Sequence, residues 1–451
     1  MVQKFGDLKR PESAIGTGPF LLERYEPNVK TMFKRNPEYF LKDPPYVDGV
    51  EWLSLEGETM KRSTDRILTT HVGSLVRPPG LVELMRTKEN GQAYDQAALA
   101  ARVQSAVRDV VQQQVDAGVD IPSDGEYGKP SFSGYVNERL SGFERRPRDP
   151  NESPLLNWGR DRQLFREFYE AYDRATGSAS GHPVVCTGPI TYQGQTAVQR
   201  DIDTFKTALA GVPVEEAFIP AVAPGTIELQ RRNAFYPTDE AYLFAIAEAM
   251  REEYRAIVDA GFLLQIDDPR VVTQYGMPDP APSTAEYRAF AERRVEALNH
   301  ALVGIPPDRV RYHLCWGSWH GPHVTDVPLQ DIVDIVLRVR AGAYCVEAAN
   351  PRHEHEWQVW EEVKLPDGTL LIPGVVAHTT NIVEHPELIA RRLMTYARLV
   401  GRENVLAGTD CGFSQGAFTP RVHASIMWAK LQALAEGAAL ASTRLWSRTN
   451  R

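Results

Sequence analysis

The sequence predicts an α/β protein built on a (β/α)8 barrel with insertions, preceded by a short appended segment, and three observations carry that expectation. From residue 60 onward, short apolar runs alternate with amphipathic helical patterns, the arrangement of βαβ units around a parallel sheet. Eight such runs can be counted. Histidine, cysteine and acidic residues gather at the carboxyl ends of these runs, where a barrel opens its mouth.

Taken in order, residues 1–59 read as a unit apart: "GTGPFLLERYEPNVKTMFKRNPEYFLKDPPYVDGVEWL" alternates strand-like runs with Pro, Gly and Asn turns, then gives way to "GETMKRSTDR". So short a piece has little core to offset its chain entropy. The barrel is expected over 60–451. Its strands are expected at "RILTTHVGS" (66–74), "VDIPSDGE" (119–126), "PVVCTGPI" (183–190) and "FLLQIDDP" (262–269), followed by "VRYHLCW" (310–316), "AYCVEAAN" (343–350), "LLIPGVVAH" (370–378) and "VLAGTDCG" (405–412). Between them lie helices such as 241–261, whose apolar positions recur every three or four residues and whose final glycine suits a C-terminal cap. A ninth apolar run, "EEAFIPAVAPG" (215–225), is assigned to a long connection after the third strand, and 141–182 reads as an insertion.

Composition narrows the function. Of 451 residues, 43% are hydrophobic and 24% charged, which is ordinary for a globular chain. A formal charge of −9 argues against a general nucleic-acid binder, and the short mixed stretch "ERRPRD" (144–149) reads as a solvated loop. Four scattered cysteines are too few for a disulfide scaffold and point to a reducing compartment. No run of about 18 apolar residues is present to span a bilayer, and the first residues lack the apolar core of an export signal, so a cytoplasmic location is expected.

A strand sends alternate side chains to one face, so His313 and Cys315 point the same way. Cys345 and Glu347 repeat that spacing, and "TDCG" puts Cys411 at the end of the last strand. Converging at one mouth, such an N, S and O set suits zinc with a position left for substrate. The bland rival is that buried cysteine is commonly a small hydrophobe, and Cys186 is read that way. Ser74 can merely cap the segment that follows it, Glu126 and Asp267 can be structural hydrogen-bonders, and a lone His378 is more often a satisfied structural group. His320, His323, His353 and His355 are read as surface groups or as neighbours of the ligands.

These residues resemble the catalytic barrel of the cobalamin-independent methionine synthases and the related single-barrel thiol alkyltransferases, of the epoxyalkane:coenzyme M transferase kind. The likeness runs through "TTHVGS" (69–74), "SDGE" (123–126), "TGPIT" (187–191), "LQIDDP" (264–269), "YHLCWG" (312–317), "VEAANPRHEHEW" (346–357), "VVAH" (375–378) and "TDCGF" (409–413). It implies zinc ligation by His313, Cys315, Glu347 and Cys411, amino-acid substrate contacts at Ser74, Glu126 and Asp267, and a proton donor at His378. The reaction it implies is methylation of homocysteine, a small-molecule thiol, to methionine, with 5-methyltetrahydrofolate (polyglutamate) as methyl donor. The alternative is the same attack by a zinc-bound thiol on another electrophile, such as an epoxide or a different methyl carrier. Full-length methionine synthases of this family carry a second, amino-terminal barrel that helps hold the folate, and no part of this sequence matches it, which leaves the donor open. Residues 1–59 resemble part of the extracytoplasmic solute-binding proteins of peptide and nickel uptake systems, which raises a non-catalytic ligand binder as a reading of another class. A barrel that keeps zinc only for structure is a third.

Overall fold

The computed structural model describes residues 20–26, 30–36, 39, 49–53, 60–147, 159–176, 183–318 and 320–447. The chain divides into two compact units, Met1–Thr59 and Met60–Arg451. In the first, β1 (Phe20–Glu26), β2 (Lys30–Arg35) and β3 (Gly49–Leu53) form an antiparallel sheet in that order, with a bulge between Leu22 and Arg24. Most of the "GTGPF" stretch lies outside the described residues.

The second unit is the barrel. Its parallel sheet runs through β6 (Phe218–Val222), β8 (Leu263–Asp267), β9 (Val310–Leu314), β10 (Ala343–Glu347), β11 (Leu370–Val376) and β12 (Gly408–Thr409). Parallel bridges Thr69 to Ala407, Thr70 to Ile121 and Ser123 to Phe218 bring in the first two extended segments and close the ring at eight. Closure removes the sheet edges that would otherwise be open to pairing.

The third barrel strand differs from the sequence expectation. It is β6, within the run assigned to a connection, and all five of its residues are buried. The expected strand at 183–190 instead supplies β5 (Val184–Cys186) to a small side sheet, pairing antiparallel with β4 (Phe143–Arg145) and parallel with β7 (Arg232–Asn233). Burial decides between them: β6 is paired with β8 along one edge and bridged to the second segment along the other, and all five of its residues are buried.

Alternate strand residues fill the barrel interior. Leu68, Ile121, Phe218, Leu263, Ala343, Cys345, Leu370, Ile372 and Leu406 form one buried cluster with Met60. Arg311 threads this interior, donating to Thr70 Oγ1 at 3.0 Å and to the His71 carbonyl at 2.9 Å, with its guanidinium 3.9 Å from the Phe218 ring centroid. Cys345 therefore sits in the packed floor. The helices outside are capped as their sequences direct. Asp95 accepts from Ala97 N and Ala98 N at the start of 96–116, and Thr238 caps the helix Asp239–Asp259, expected at 241–261. Ser283 and Glu286 form a reciprocal capping box ahead of Thr284–Ala301.

Candidate active site

The chemistry collects where the sequence places it, at the carboxyl ends of the strands. His313 lies on β9, Cys315 just past its end, and Cys411 just past β12. Each is buried. The Cys315 and Cys411 sulfurs are 3.4 Å apart, too far for a disulfide, and both are free thiols. One ring nitrogen of His313 and the two sulfurs all lie within 4.8 Å of one another. Neither ring nitrogen of His313 makes a hydrogen bond of ordinary geometry, although it is 1% exposed. Its polar neighbour is the Cys411 thiol, and a buried imidazole so poorly satisfied costs free energy unless another group engages it. The hydrogen bond from Cys315 holds Cys411 well below the usual thiol range, and the same contact raises Cys315 well above it. Two soft sulfurs and an imidazole are a donor set that fits zinc.

Glu347 ends β10, 2% exposed; its Oε2 accepts from Asn350 at 3.1 Å and its Oε1 has no partner. Its carboxylate oxygens are not part of the His313, Cys315 and Cys411 group, but it is near enough to Cys411 for their charges to interact. Burial, and then the negative charge of Asp410, hold its carboxyl well above the usual range. Asp410 accepts from Ala348 N and Ala349 N, both at 2.8 Å, and so ties the turn after β10 to the residue before Cys411. His378 follows β11, 1% exposed, with both ring nitrogens unpartnered. Burial pulls it down to about 4, while the Cys411 charge pulls the other way, so the ring is neutral at pH 7.

A cavity of about 140 Å³ opens beside the cluster, and Ser74, Glu126, Asp267, His313, Cys315 and Cys411 all line it. Glu347 and His378 are not on its wall. Ser74 is fixed from two sides: its carbonyl accepts from Phe413 N at 2.8 Å, and Leu75 N donates to the Gly125 carbonyl at 3.1 Å. The preceding Gly73 has φ +128°, and a Cβ there would stand 2.5 Å from Pro220 Cγ, so only glycine admits this turn. Glu126 takes a left-handed φ of 58°, unusual for a side-chain-bearing residue and a form of strain found at functional sites. Arg77 steadies it by donating to the Glu126 and Lys129 carbonyls at 2.7 and 2.9 Å. Burial pushes the Glu126 carboxyl up to about 7, with Lys129 and Arg77 opposing, and its Oε2 has no partner. Asp267 ends β8, bonded to Gln265 Nε2 at 2.9 Å; burial and then the Glu126 charge raise it well above the usual range. Two buried carboxylates thus line one cavity, and the charge of Glu126 acts on Asp267.

Other residues on the cavity wall carried no signal in the sequence reading. Gln230 and Arg270 follow β6 and β8, and Gln415 and Arg421 follow Cys411. Gln415 Nε2 is 3.8 Å from the Cys411 sulfur and accepts through Oε1 from Arg421 Nε at 3.3 Å. The position of Gln230 was hidden because β6 was not read as a barrel strand.

The chain is similar to known proteins over much of its length. Residues 222–429 match the family described as "Cobalamin-independent synthase, Catalytic domain", and residues 1–89 match "Bacterial extracellular solute-binding proteins, family 5 Middle". A methionine synthase of Thermococcus kodakarensis is 23% identical over 347 residues, covering 76% of this chain and 86% of that protein. One of Sulfolobus acidocaldarius is 25% identical over 267 residues, 58% of this chain and 66% of the other. Among solved structures, a cobalamin-independent methionine synthase from a Shewanella species, in complex with selenomethionine, has TM-score 0.63 at 19% identity, covering 84% of this chain and 99% of the other. The putative enzyme of this kind from Listeria monocytogenes has TM-score 0.57 at 17% identity, covering 85% and 99%.

Proposed function

Since the barrel belongs to the cobalamin-independent methionine synthase family and is a methionine synthase-like enzyme, we propose that it is a zinc-dependent S-methyltransferase making methionine from homocysteine, with 5-methyltetrahydrofolate (polyglutamate) as donor. The observation that carries this reading is the shared cavity: a buried imidazole and two thiols on one wall, two repelling carboxylates on another. His313, Cys315 and Cys411 would hold the ion, with Glu347 the nearby carboxylate for a fourth position. When bound, zinc supplies the charge that strips the proton from an incoming thiol and leaves its sulfur nucleophilic at neutral pH.

The chain's own groups then do the rest. Glu126 and Asp267 bind the ammonium of the amino acid, which relieves their mutual repulsion and orients the sulfur toward the thiols. Ser74, whose backbone is held by Phe413 and lies beside Gly125, is the proposed contact for the carboxylate end. As the sulfur–methyl bond forms, the methyl–nitrogen bond of the folate breaks, and that nitrogen needs a proton to leave. His378 is the proposed donor. Its ring is neutral in the protein alone, so negative charge arriving near Cys411 must raise its pKa before it can serve.

Supplying purified protein with homocysteine and either methylated folate, another methyl carrier or an epoxide tests the proposal. Methionine formed with the folate supports it; product formed only with another electrophile rejects the donor. Residues 60–451 are proposed as the catalytic unit of a cytoplasmic enzyme and 1–59 as a dispensable appendage, so deleting 2–59 should leave metal content and turnover unchanged. No helix among the described residues is long and apolar enough to cross a membrane.

A further inference from the structure

A second cluster of metal-binding side chains lies apart from the sulfur-bearing one. His323, in the loop after β9, places Nδ1 2.7 Å from Asp326 Oδ2, and His353, in the turn after β10, places Nε2 2.9 Å from that same oxygen. All three donor atoms lie within 4.8 Å of one another, and both imidazoles are buried. The far nitrogen of His353, Nδ1, is held by Glu356 Oε2 at 2.9 Å, and its ring stacks on Trp316 with centroids 4.0 Å apart. That carboxylate-to-imidazole contact is the support that fixes a metal-ligating histidine: a proton kept on Nδ1 leaves Nε2 free to donate its lone pair.

A further carboxylate lies close by. Asp161, on the short helix Gly159–Leu164, is 0% exposed and has Thr325 as its hydrogen-bonding neighbour. Arg160 pins that helix to the loop by donating to the Thr325 and Tyr275 carbonyls at 3.3 and 2.7 Å. Asp326 and His323 are near enough to Asp161 for their charges to interact, so the three groups share one neighbourhood. Asp326 and Glu356 thus contact the two buried imidazoles directly, with Asp161 nearby. Charge of one sign is costly to bury unless a cation or protons offset it.

We propose that His323, Asp326 and His353, with Asp161 as the adjoining carboxylate, form a second metal site that takes a divalent transition-metal ion through nitrogen and oxygen alone. Imidazole and carboxylate donors suit zinc, iron, nickel and cobalt, whereas the first site is set apart by its two sulfurs. In the metal-free protein, protons shared with the single Asp326 oxygen stand where the ion would be. Binding displaces them and ties the loop after β9, the turn after β10 and the helix 159–164 together.

Loading the full chain with Co2+ distinguishes the two sites, because only cobalt bound to thiolate gives an intense sulfur-to-metal charge-transfer absorption. Wild type is expected to hold two equivalents per chain by elemental analysis. Cys411→Ser should keep one equivalent and lose the charge-transfer band; Asp326→Asn should keep one and retain the band. His353→Gln, checked for native circular dichroism, repeats the second arm should Asp326→Asn fail to fold. One equivalent without the band in wild type, and none in Asp326→Asn, would support this site while removing the sulfur site. Wild type saturating at one equivalent with the band, or Asp326→Asn still holding two, overturns the proposal.

Discussion

Replacing Gly412 with alanine tests how tightly the cavity is assembled. A Cβ at this position would overlap the Ser74 hydroxyl and lie 3.1 Å from both the Ser74 Cβ and its backbone nitrogen. The hydroxyl can rotate away; the other two atoms cannot, because the Ser74 carbonyl is held by Phe413 N and the segment runs on into Leu75, bonded to Gly125. The loop must therefore shift by a few tenths of an ångström, and overpacking of this kind costs about 1–3 kcal/mol. Cys411 precedes the substituted residue, so the same shift displaces its sulfur from the 3.4 Å approach to Cys315. Misplacing a ligand's supports typically lowers metal affinity by about 10–100-fold. Urea unfolding of metal-free protein reads the first quantity and competition with a chelator reads the second. The double variant Ser74→Ala with Gly412→Ala removes the hydroxyl but keeps the 3.1 Å contacts, so it should remain destabilised. An unfolding midpoint and a zinc affinity both equal to wild type in Gly412→Ala would refute the reasoning.

Three further outcomes are expected. Phe218→Ala, in the third barrel strand and under the Arg311 guanidinium, should lose about 3–5 kcal/mol in the same unfolding assay; a loss under 1 kcal/mol, the range of surface changes, would mean that β6 is not part of the core. Burial lifts the Glu216 carboxyl from 4.5 to about 7, so its contribution favours the folded state below pH 4.5 and fades as pH rises through 7. Glu216→Gln should therefore flatten the decline in stability across that window and add at most about 3 kcal/mol at pH 8; an unchanged slope would contradict the assignment. His378→Asn should lower turnover with methylated folate by about 10²–10⁴-fold while homocysteine binding, followed by calorimetry, stays as in wild type; equal turnover would remove His378 as the proton donor.

Much of the site was legible because its residues obey the two-residue period of strands and the convergence of strand ends. His313 and Cys315 share a face, and Cys411 closes the last strand, so a barrel brings them together whatever their separation along the chain. The third strand was not legible. "PVVCTGPI" and "EEAFIPAVAPG" are both short apolar runs edged by turn residues, and periodicity alone cannot rank them. Pro220 lies within the second, and proline takes a donor out of a ladder. The barrel tolerates it because the side of β6 facing the second segment is held by a single bridge, at Ser123 and Phe218. The pairing of His323 with His353 was hidden for another reason: it runs between two loops through one Asp326 oxygen, and no periodic pattern records a meeting of loops. The repulsion between Glu126 and Asp267 likewise becomes visible only once burial is known.

X-ray absorption at the zinc edge, on purified protein before and after adding homocysteine, bears most directly on the central claim. The account predicts one nitrogen, two sulfurs and a lighter ligand around the ion at first, and a third sulfur once the amino acid is bound. A zinc shell without sulfur, or one that homocysteine leaves unaltered, would contradict it.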